Sequence, residues 1–339
     1  MILYDPDPRH ALSAYGIAIP IGPDAAREAL ETLRHEPRVA PLLESALTPR
    51  GDTEITREDL ERVHSEEYVA RLYSEGVELE IQRTYELIDS EGKYHRYDPD
   101  RAERPLEELF EFALETVSGS YECCRHAIEH SSCFYLGGGM HHGKRETGDG
   151  FCLINDVVLA ARKIQADGLG RRIWIIDLDV HKGDGTAELT AGDDSIRTLS
   201  VHMARGWPLD RRERLPDGSL HPSHVPSDID VPIAEGGEDT YVPFLEEALD
   251  QLDQLDNFEA PDLAIVLYGA DPYEYDELPS YGGIKLTLSQ MADRDELVYR
   301  FLADRGIPRA YLKSGGYGIR AADPLTRFLR WYLLEEDGG

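Results

Sequence analysis

The chain contains few cysteines, no long hydrophobic run and little positive charge. Its four cysteines, Cys123, Cys124, Cys133 and Cys152, are too few and too irregularly spaced for a disulfide framework or a four-thiolate zinc site, so we expect them to be reduced and mostly buried. No run of about 18 apolar residues occurs, which excludes a membrane-spanning helix. The N-terminal residues lack the basic and apolar regions of a signal peptide, so we expect a cytoplasmic protein.

The charge is strongly one-sided. Aspartate and glutamate number 66 against 35 lysines and arginines, of which only six are lysine, and the formal net charge is −31. The lack of a basic surface excludes nucleic acid as a direct ligand, whereas a cationic substrate would be attracted. The acids are spread along the whole chain rather than gathered in a tail. Such an acid-rich, lysine-poor composition is typical of a halophilic cytoplasm, where salt screens the repulsion between like charges.

The pattern of apolar residues predicts helices first and alternating strands and helices later. Residues 23–48, 56–74 and 105–130 have helical spacing, with a cap in "TREDL", and the polar segment 76–105 is predicted to be a long surface loop. Five buried strands follow, in "SCFYLGGG", "RRIWIIDLDV", "IRTLSVH", "DLAIVLYGA" and "RAYLKSGG", and "NDVVLAARKIQ" is a helix with an asparagine cap. This alternation predicts a three-layer α/β/α fold around a mostly parallel sheet. We interpret residues 1–339 as a single domain.

Two aspartates and a histidine interrupt the most apolar of these strands. They lie in "IIDLDVHKGDG", residues 175–185. Because successive side chains of a strand point to opposite faces, Asp177, Asp179 and His181 are predicted to lie on one face at the strand's carboxyl end. Asp271 follows the end of another predicted strand. Ligand sites of parallel sheets lie beyond such strand ends. An unpaired buried carboxylate is costly, and Asp179, His181 and Asp271 together could hold a catalytic metal with open coordination positions. Caps and turn hydrogen bonds remain the alternative explanation of these residues.

Several segments in register resemble one protein family. "YLGGGMHHGKRETGDGFCLINDVVLAA", "IIDLDVHKGDGT", "GADPYEYDELPSYGGIKLT" and "KSGGYG" are similar, in order and spacing, to motifs of the zinc-dependent histone deacetylase family, which includes the acetylpolyamine amidohydrolases. Upstream, "LERVHSEEYVARL" resembles the family's N-terminal helical segment, so the resemblance covers about residues 55–320. It implies the arginase-deacetylase fold and hydrolysis of an amide by a metal-activated water.

The resemblance also implies a role for each matching residue. Asp179, His181 and Asp271 match the zinc ligands, with Fe²⁺ as an alternative metal. The other matches are the tandem proton-handling histidines His141 and His142, their respective acidic partners Asp177 and Asp184, the carbonyl-binding Tyr317, the tunnel residues Gly150, Phe151 and Trp207, and Asp177 with Ser200 at an inner K⁺ site. A histidine can accept the proton of the water and return it to the leaving amine, and a paired aspartate raises its basicity.

Two residues near these motifs differ from the residues that other proteins of this fold carry at the matching positions. Lys182 stands where many relatives carry a second histidine. Alternation turns it away from His181, so metal binding should survive, and its partner would be a nearby acid or a carbonyl network around a bound ion. Gly269 stands where the two-metal arginase branch has an additional acid, which favours a single catalytic metal.

The segments 76–105 and 203–225 have no clear counterpart in the family, and we expect both near the rim of the substrate tunnel. Trp207 lies in the second segment, which departs from the common family loop, so an ordinary core tryptophan is the alternative there. Asp98, in the first segment, is either a rim acid that grips the substrate backbone or a solvated loop residue.

The function that these expectations support is a zinc-dependent amidohydrolase that removes the acetyl group from N-acetyl-lysine in proteins. An acetylated polyamine or another small acylated amine is the alternative substrate. A catalytically silent protein that binds acylated ligands is a third reading, against which the full set of ligands, histidines and tyrosine argues. We expect neither nucleic acid nor a membrane as a partner.

Overall fold

The sheet occupies the centre of the computed structural model, which describes residues 1–4, 12–18, 24–89, 91–257, 259–278 and 283–338. Its eight strands are β1 (Ile2–Leu3), β2 (Leu47–Thr48), β3 (Ser132–Tyr135), β4 (Ile173–Asp177), β5 (Ile196–Met203), β6 (Ile229–Ile233), β7 (Leu263–Tyr268) and β8 (Arg309–Lys313). All neighbouring strands are parallel, in the order β2-β1-β3-β8-β7-β4-β5-β6. The predicted α/β fold with a parallel sheet is confirmed.

The central strands are buried on both faces, which explains their continuous apolar sequences. Along β4, Trp174 and Ile176 belong to one apolar cluster, whereas Ile173 and Ile175 belong to another. Because successive side chains of a strand point to opposite faces, the two clusters lie on opposite sides of the sheet. Helices complete both clusters, and the result is the three-layer arrangement.

The helices of the described residues differ widely in length. They are α1 (Ala25–Arg34), α2 (Ala40–Ala46), α3 (Arg57–Glu61), α4 (Glu66–Leu72), α5 (Val77–Thr84), α6 (Glu108–His130), α7 (Asp156–Ala166), α8 (Asp184–Thr190), α9 (Glu238–Leu255), α10 (Leu288–Asp304) and α11 (Ala322–Gly338). In the part of the chain that the structure describes, none is both long and apolar enough to cross a bilayer. The four cysteines are buried and free, as predicted.

Both early predicted helices are interrupted. Residues 23–48, of which residue 23 lies outside the described part, form α1, α2 and the short strand β2. Pro37 disfavours helical backbone at the residue before it, which ends the first helix. Residues 56–74 form α3 and α4. The predicted cap is Thr56, which makes a capping box with Asp59, and Ser65 caps α4.

The segment 76–105 is not entirely a loop, because it begins with α5 and contains a 3-10 turn at Pro99–Arg101. Its polar sequence conceals a short buried face, on which Ile81 and Thr84 are almost inaccessible to solvent. The next helix, predicted over 105–130, begins at Glu108. The edge strands β2 and β6, and β1 next to β2, were not predicted; β1 and β2 contain only two residues each, too few to show alternation.

Candidate metal centre and catalytic cavity

The predicted metal ligands converge beyond the carboxyl ends of two adjacent strands. β4 ends at Asp177 rather than at Val180, so Asp179 and His181 lie on the segment that follows it, and Asp271 follows β7. Because β4 and β7 pair in parallel, both segments leave the sheet at the same edge. Donor atoms of Asp179, His181 and Asp271 lie within 4.8 Å of one another, and all three side chains are buried. The spacing suits coordination of one ion.

The electrostatic surroundings of the cluster favour an additional positive charge. His181 Nε2 and Asp271 Oδ2 are buried without a hydrogen-bond partner among the described residues. Burial and the neighbouring Asp179 carboxylate raise the pKa of Asp271 to about 8. Gly315 keeps the space in front of the carboxylates open, since a methyl group there would overlap Asp179 and Asp271. An imidazole nitrogen and a carboxylate oxygen that lack hydrogen-bond partners, with an open space beside them, fit a divalent cation.

A buried arginine holds the two ligand-bearing segments together. The Arg294 guanidinium, on α10, donates hydrogen bonds to the carbonyl oxygens of Leu178, 3.2 Å, and Gly269, 2.9 Å. Asp295 balances its charge at 2.7 Å. Leu178 and Gly269 each lie within two residues of a predicted ligand, so Arg294 fixes the separation of the ligands. The sequence analysis missed this residue, because nothing in a helical pattern marks a side chain that reaches across the sheet edge.

The tandem histidines sit beside the cluster on a turn that β3 leads into. Gly138 and Gly139 adopt positive φ angles of 85° and 74°, and the turn places the His141 and His142 ring centroids 3.9 Å apart. His141 Nδ1 lies 2.6 Å from Asp177 Oδ2, and His142 Nδ1 lies 2.7 Å from Asp184 Oδ1. These are the pairs that the family resemblance implies. Each pairing leaves the opposite ring nitrogen, Nε2, free of its aspartate.

The two histidines differ in their electrostatic surroundings. Burial opposes the charged form of both rings. At His141 the carboxylates of Asp177 and Asp179 outweigh burial and raise its pKa to about 9. At His142, burial and the neighbouring His141 outweigh the single aspartate and lower its pKa to about 3. His142 is therefore the ring that is neutral and able to accept a proton at neutral pH.

The partner of His142 is itself held by two groups that the sequence analysis missed. Lys144 Nζ lies 2.8 Å from Asp184 Oδ2, and the Ser223 hydroxyl donates to the same oxygen at 2.6 Å. Although burial opposes ionisation, the hydrogen bond from His142 and the Lys144 ammonium keep the pKa of Asp184 below its usual range. Asp184 thus stays anionic and fixes the orientation of His142.

Two residues of the metal cluster, Asp179 and His181, line a cavity of about 590 Å³ together with His141 and His142. Its wall includes the predicted residues Gly150, Phe151, Trp207 and Tyr317. The Trp207 ring centroid lies 4.4 Å from that of His142 and 5.6 Å from that of His181, and the side chain is only half-buried, so Trp207 is not an ordinary core tryptophan. Gly150 and Phe151 have φ angles of 52° and 66°, and a side chain at Gly150 would collide with Trp207 and His142. Burial raises the pKa of Tyr317 well above its usual range, so its hydroxyl keeps its proton.

The segment 203–225 is anchored to the cavity wall through Arg211. Its guanidinium binds both oxygens of Asp149, the residue before Gly150, with one contact at 2.8 Å, and it lies 5.5 Å from the Trp207 ring. Asp149 also pairs with Lys144. The two unmatched segments therefore do meet the cavity, since Asp210 from this one and Glu86 and Arg96 from the segment 76–105 contribute to its lining.

Three further positions have defined surroundings. Asp98 is exposed, caps the 3-10 turn and pairs with Arg101, contacts that are compatible with both a rim acid and a solvated loop residue. Lys182 is buried and pairs with Asp230 at 2.8 Å, the first of its two predicted kinds of partner. Ser200 lies opposite Asp177 in the register of β4 and β5, and both are buried.

Comparison with known proteins gives consistent results. The model of the histone deacetylase domain matches residues 20–329, a longer stretch than the resemblance at 55–320. An uncharacterized protein of Picosynechococcus is 31% identical over 270 residues, 79% of this chain and 78% of its own. Histone deacetylase 2 of Arabidopsis thaliana is 31% identical over 59% of this chain, and histone deacetylase B of Dictyostelium discoideum is 29% identical over 54%. This chain spans 48% and 40% of those two proteins, about half their length.

A solved structure shows the same fold. The HD domain of HDA15 superposes with a TM-score of 0.66 at 19% identity, covering 98% of this chain and 87% of that domain. At that identity the match bears on the fold alone, whereas the domain model and the 31% identical relative bear on the family. Together with the convergence of the motif residues at one cavity, they establish that the chain belongs to the histone deacetylase family.

Proposed function

We propose that the protein is a zinc-dependent amidohydrolase that removes the acetyl group from N-acetyl-lysine in proteins. The observation that carries the proposal is the cluster of Asp179, His181 and Asp271, since Asp179 and His181 line a cavity that is also lined by two histidines and a tyrosine. Membership of the histone deacetylase family supports a hydrolase acting on amide bonds. The uncompensated donor atoms support the metal.

The ligands in this proposal are Asp179, His181 and Asp271, and Zn²⁺ is the proposed ion. When bound, it would supply Lewis acidity that polarises the amide carbonyl and lowers the pKa of water to about 7. Backbone N–H groups orient the carboxylates: Gly315 donates to Asp179 Oδ2 at 2.8 Å, and Val180 donates to Asp271 Oδ1 at 3.0 Å. One imidazole and two carboxylates also suit Fe²⁺, which is the alternative metal.

The two histidines divide the proton transfers. His142 is neutral, and its Nδ1 is held by Asp184, so Nε2 is the atom that accepts the proton of the attacking water. His141, held by Asp177, favours its protonated form and stabilises negative charge that develops near it. The proton on His142 then passes to the leaving amine. This assignment rests on the opposite directions of the two pKa shifts together with the geometry of the pairs.

The cavity wall positions the substrate and excludes water. The Tyr317 hydroxyl, which stays protonated, donates a hydrogen bond to the substrate carbonyl oxygen as negative charge develops on it. The rings of Phe151 and Trp207 contact the aliphatic arm that carries the acetamide, and the Gly150 carbonyl accepts a hydrogen bond from the amide N–H. These groups suit a long aliphatic arm with a cationic or polar remainder outside.

An acetylated polyamine or another small acylated amine is the second candidate substrate. Glu86 and Asp210 contribute carboxylates to the cavity lining, and the net charge of −31 favours a cation at the mouth. Arg96 pairs with Glu86 at 3.3 Å, which leaves Asp210 as the acid better able to bind a distal amine. A catalytically silent ligand-binding protein would require no ordered proton acceptor, and the held His142 disfavours it. We place the protein in the cytoplasm, with neither nucleic acid nor a membrane as a partner.

Potassium at Asp177 and Ser200 remains part of the proposal. The two residues are register partners, Asp177 at the carboxyl end of β4 and Ser200 within β5, next to the metal cluster. A monovalent cation there would compensate the buried Asp177 carboxylate, of which one oxygen accepts the Asp179 N–H and the other contacts His141. Raising potassium at constant ionic strength, set with a bulky cation, should increase the melting temperature of the wild-type protein. An unchanged melting temperature would remove potassium from the proposal.

The deciding experiment measures turnover of acetyl-lysine peptides and acetylated polyamines by the zinc-loaded protein at high potassium chloride. Tyr317→Phe should lower kcat by about 100-fold or more while substrate binding persists. Tyr94→Phe, which removes a hydroxyl from an exposed ring, is the matched control and should match wild type. Absence of turnover of every acylated amine, with zinc present at one ion per chain, would refute the enzyme; turnover of polyamines alone would select the second substrate.

A further inference from the structure

A second group of metal-ligating side chains lies on the last two turns of α6. His126, Glu129 and His130 are spaced i, i+3 and i+4, so they share one face of the helix. One donor atom from each lies within 4.8 Å of the others, the same limit that the catalytic cluster meets. None of the three lines the catalytic cavity.

The two imidazoles are arranged for a shared ligand. Their ring centroids are 5.9 Å apart and their planes differ by 18°, so the two rings are stacked on successive turns of the helix. The Glu129 carboxylate lies 3.8 Å from His130 Nε2, too far for a hydrogen bond but close enough to share an ion with it. Two imidazoles and one carboxylate form a donor set that suits zinc and its neighbours among the divalent transition metals.

His126 in particular is available as a ligand. Its Nδ1 is buried without a hydrogen-bond partner among the described residues, whereas buried polar atoms are normally paired. The side chain is 18% exposed, against 47% for His130 and 57% for Glu129, so an ion would have one half-buried and two solvent-facing ligands.

The charges around the cluster permit a cation. Arg125 Nη2 lies 3.5 Å from His126 Nε2, but its guanidinium is bound by Glu122 at 2.7 and 3.1 Å, so its charge is already compensated. The carboxylate of Glu122 also lies 3.8 Å from His126 Nε2. The cluster is at the carboxyl end of the helix, where the helix dipole favours positive charge.

We propose that His126, Glu129 and His130 form a peripheral binding site for one divalent transition-metal ion of the zinc class, separate from the catalytic centre. The ion would cross-link the final turns of α6. That helix ends at His130 and passes through Ser131, with a φ of 70°, directly into β3, the strand that leads to the tandem histidines. The site would therefore stabilise the junction that precedes the catalytic turn, without contributing a group to the cavity.

The test is a Zn²⁺ titration of the metal-free full-length chain, followed by isothermal calorimetry and native mass spectrometry. Wild type should bind one more equivalent of Zn²⁺ than the double variant His126→Gln/His130→Gln. If both proteins bind two equivalents, wild type should bind the weaker of the two at least about tenfold more tightly than the double variant does. His130→Gln alone, which changes only a largely exposed ring, should lose most of that affinity and guards against misfolding of the double variant. His35→Gln removes an exposed histidine at the C-cap of α1 and should bind zinc as wild type does.

A second equivalent of zinc should raise the melting temperature of wild type above the value reached with one equivalent. This further increase should be absent in His130→Gln. Equal stoichiometry, equal affinities and equal melting increments in wild type and both α6 variants would overturn the proposal. The readout is binding and stability rather than turnover, so the outcome is independent of whether the protein is a deacetylase.

Discussion

A buried histidine outside the catalytic cavity should make the stability of the protein depend on pH. His64 is 1% exposed. Its Nδ1 lies 2.7 Å from the Lys144 carbonyl oxygen, and its Nε2 accepts the Asn155 N–H at 3.2 Å. This geometry requires a neutral ring with its proton on Nδ1, because a proton on Nε2 would face another N–H. Burial accordingly lowers the pKa of His64 from 6.5 to about 4.

The sign and size of the effect follow from proton linkage. The unfolded chain takes up a proton at position 64 below pH 6.5, whereas the folded chain does so only near pH 4, so stability is lost as the pH falls through this window. At about 1.4 kcal/mol per unit, the whole shift is worth roughly 3.4 kcal/mol. Integrated between pH 8 and pH 5, it should lower the free energy of unfolding by about 2 kcal/mol.

Urea unfolding at pH 8 and pH 5, at fixed salt and metal, measures the effect as a difference between variants. His64→Gln lowers stability at both pH values by removing the bonds of the imidazole, but its loss between pH 8 and pH 5 should be about 2 kcal/mol smaller than that of wild type. His35→Gln, at an exposed position, should keep the wild-type pH dependence. If His64→Gln and wild type lost the same free energy between the two pH values, the assignment of a neutral, buried His64 would be wrong.

Three further changes have expected outcomes. Gly315→Ala puts a methyl group against both ligand carboxylates and should weaken zinc binding by roughly ten- to 100-fold, measured by competition with a chelator. Lys182→Met removes the buried partner of Asp230 and should lower the free energy of unfolding by about 2–4 kcal/mol in urea while zinc affinity stays as in wild type. Arg211→Gln removes the cation next to the Trp207 ring and should lower kcat/KM by about tenfold. Arg211→Lys should recover only part of this loss, because lysine keeps the positive charge but lacks the planar guanidinium that binds both oxygens of Asp149. Arg212→Gln, on an exposed side chain, is the control.

The sheet and the convergence of the ligands were predictable for a physical reason. A parallel sheet directs every strand end to one edge, so acids that follow apolar strands in sequence must lie near that edge. The sequence could not show by itself that the strand ending before Asp271 lies next to the strand ending at Asp177, about 90 residues earlier. The family resemblance supplied that adjacency, and with it the expectation that the segments would meet.

Groups that act over long sequence distances were missed. Ser223 reaches Asp184 from a segment with no recognisable pattern, and Arg294 reaches two carbonyls from inside a helix. One local signal could have found more. In a chain with only six lysines, Lys144 and Lys182 both lie inside motifs, and both prove to be buried partners of acids. A lysine inside a motif of a lysine-poor chain is therefore a local signal for a buried partner of an acid.

The acids in an apolar strand present two separate problems, and the fold solves only one of them. Backbone N–H groups of Asp179, His181 and Val180 each donate to the carboxylate of a motif acid at 3.0 Å, so hydrogen-bonding capacity is largely satisfied within the sheet edge. Amide donors do not neutralise charge, however, and among the described residues Asp271 Oδ2 has no hydrogen-bond donor and no counter-ion other than His181, at 3.3 Å. Replacing such a group by an apolar one would often be neutral for stability. The packing of the strand therefore does not explain the Asp271 carboxylate. A cation that binds in the space left open by Gly315 does explain it.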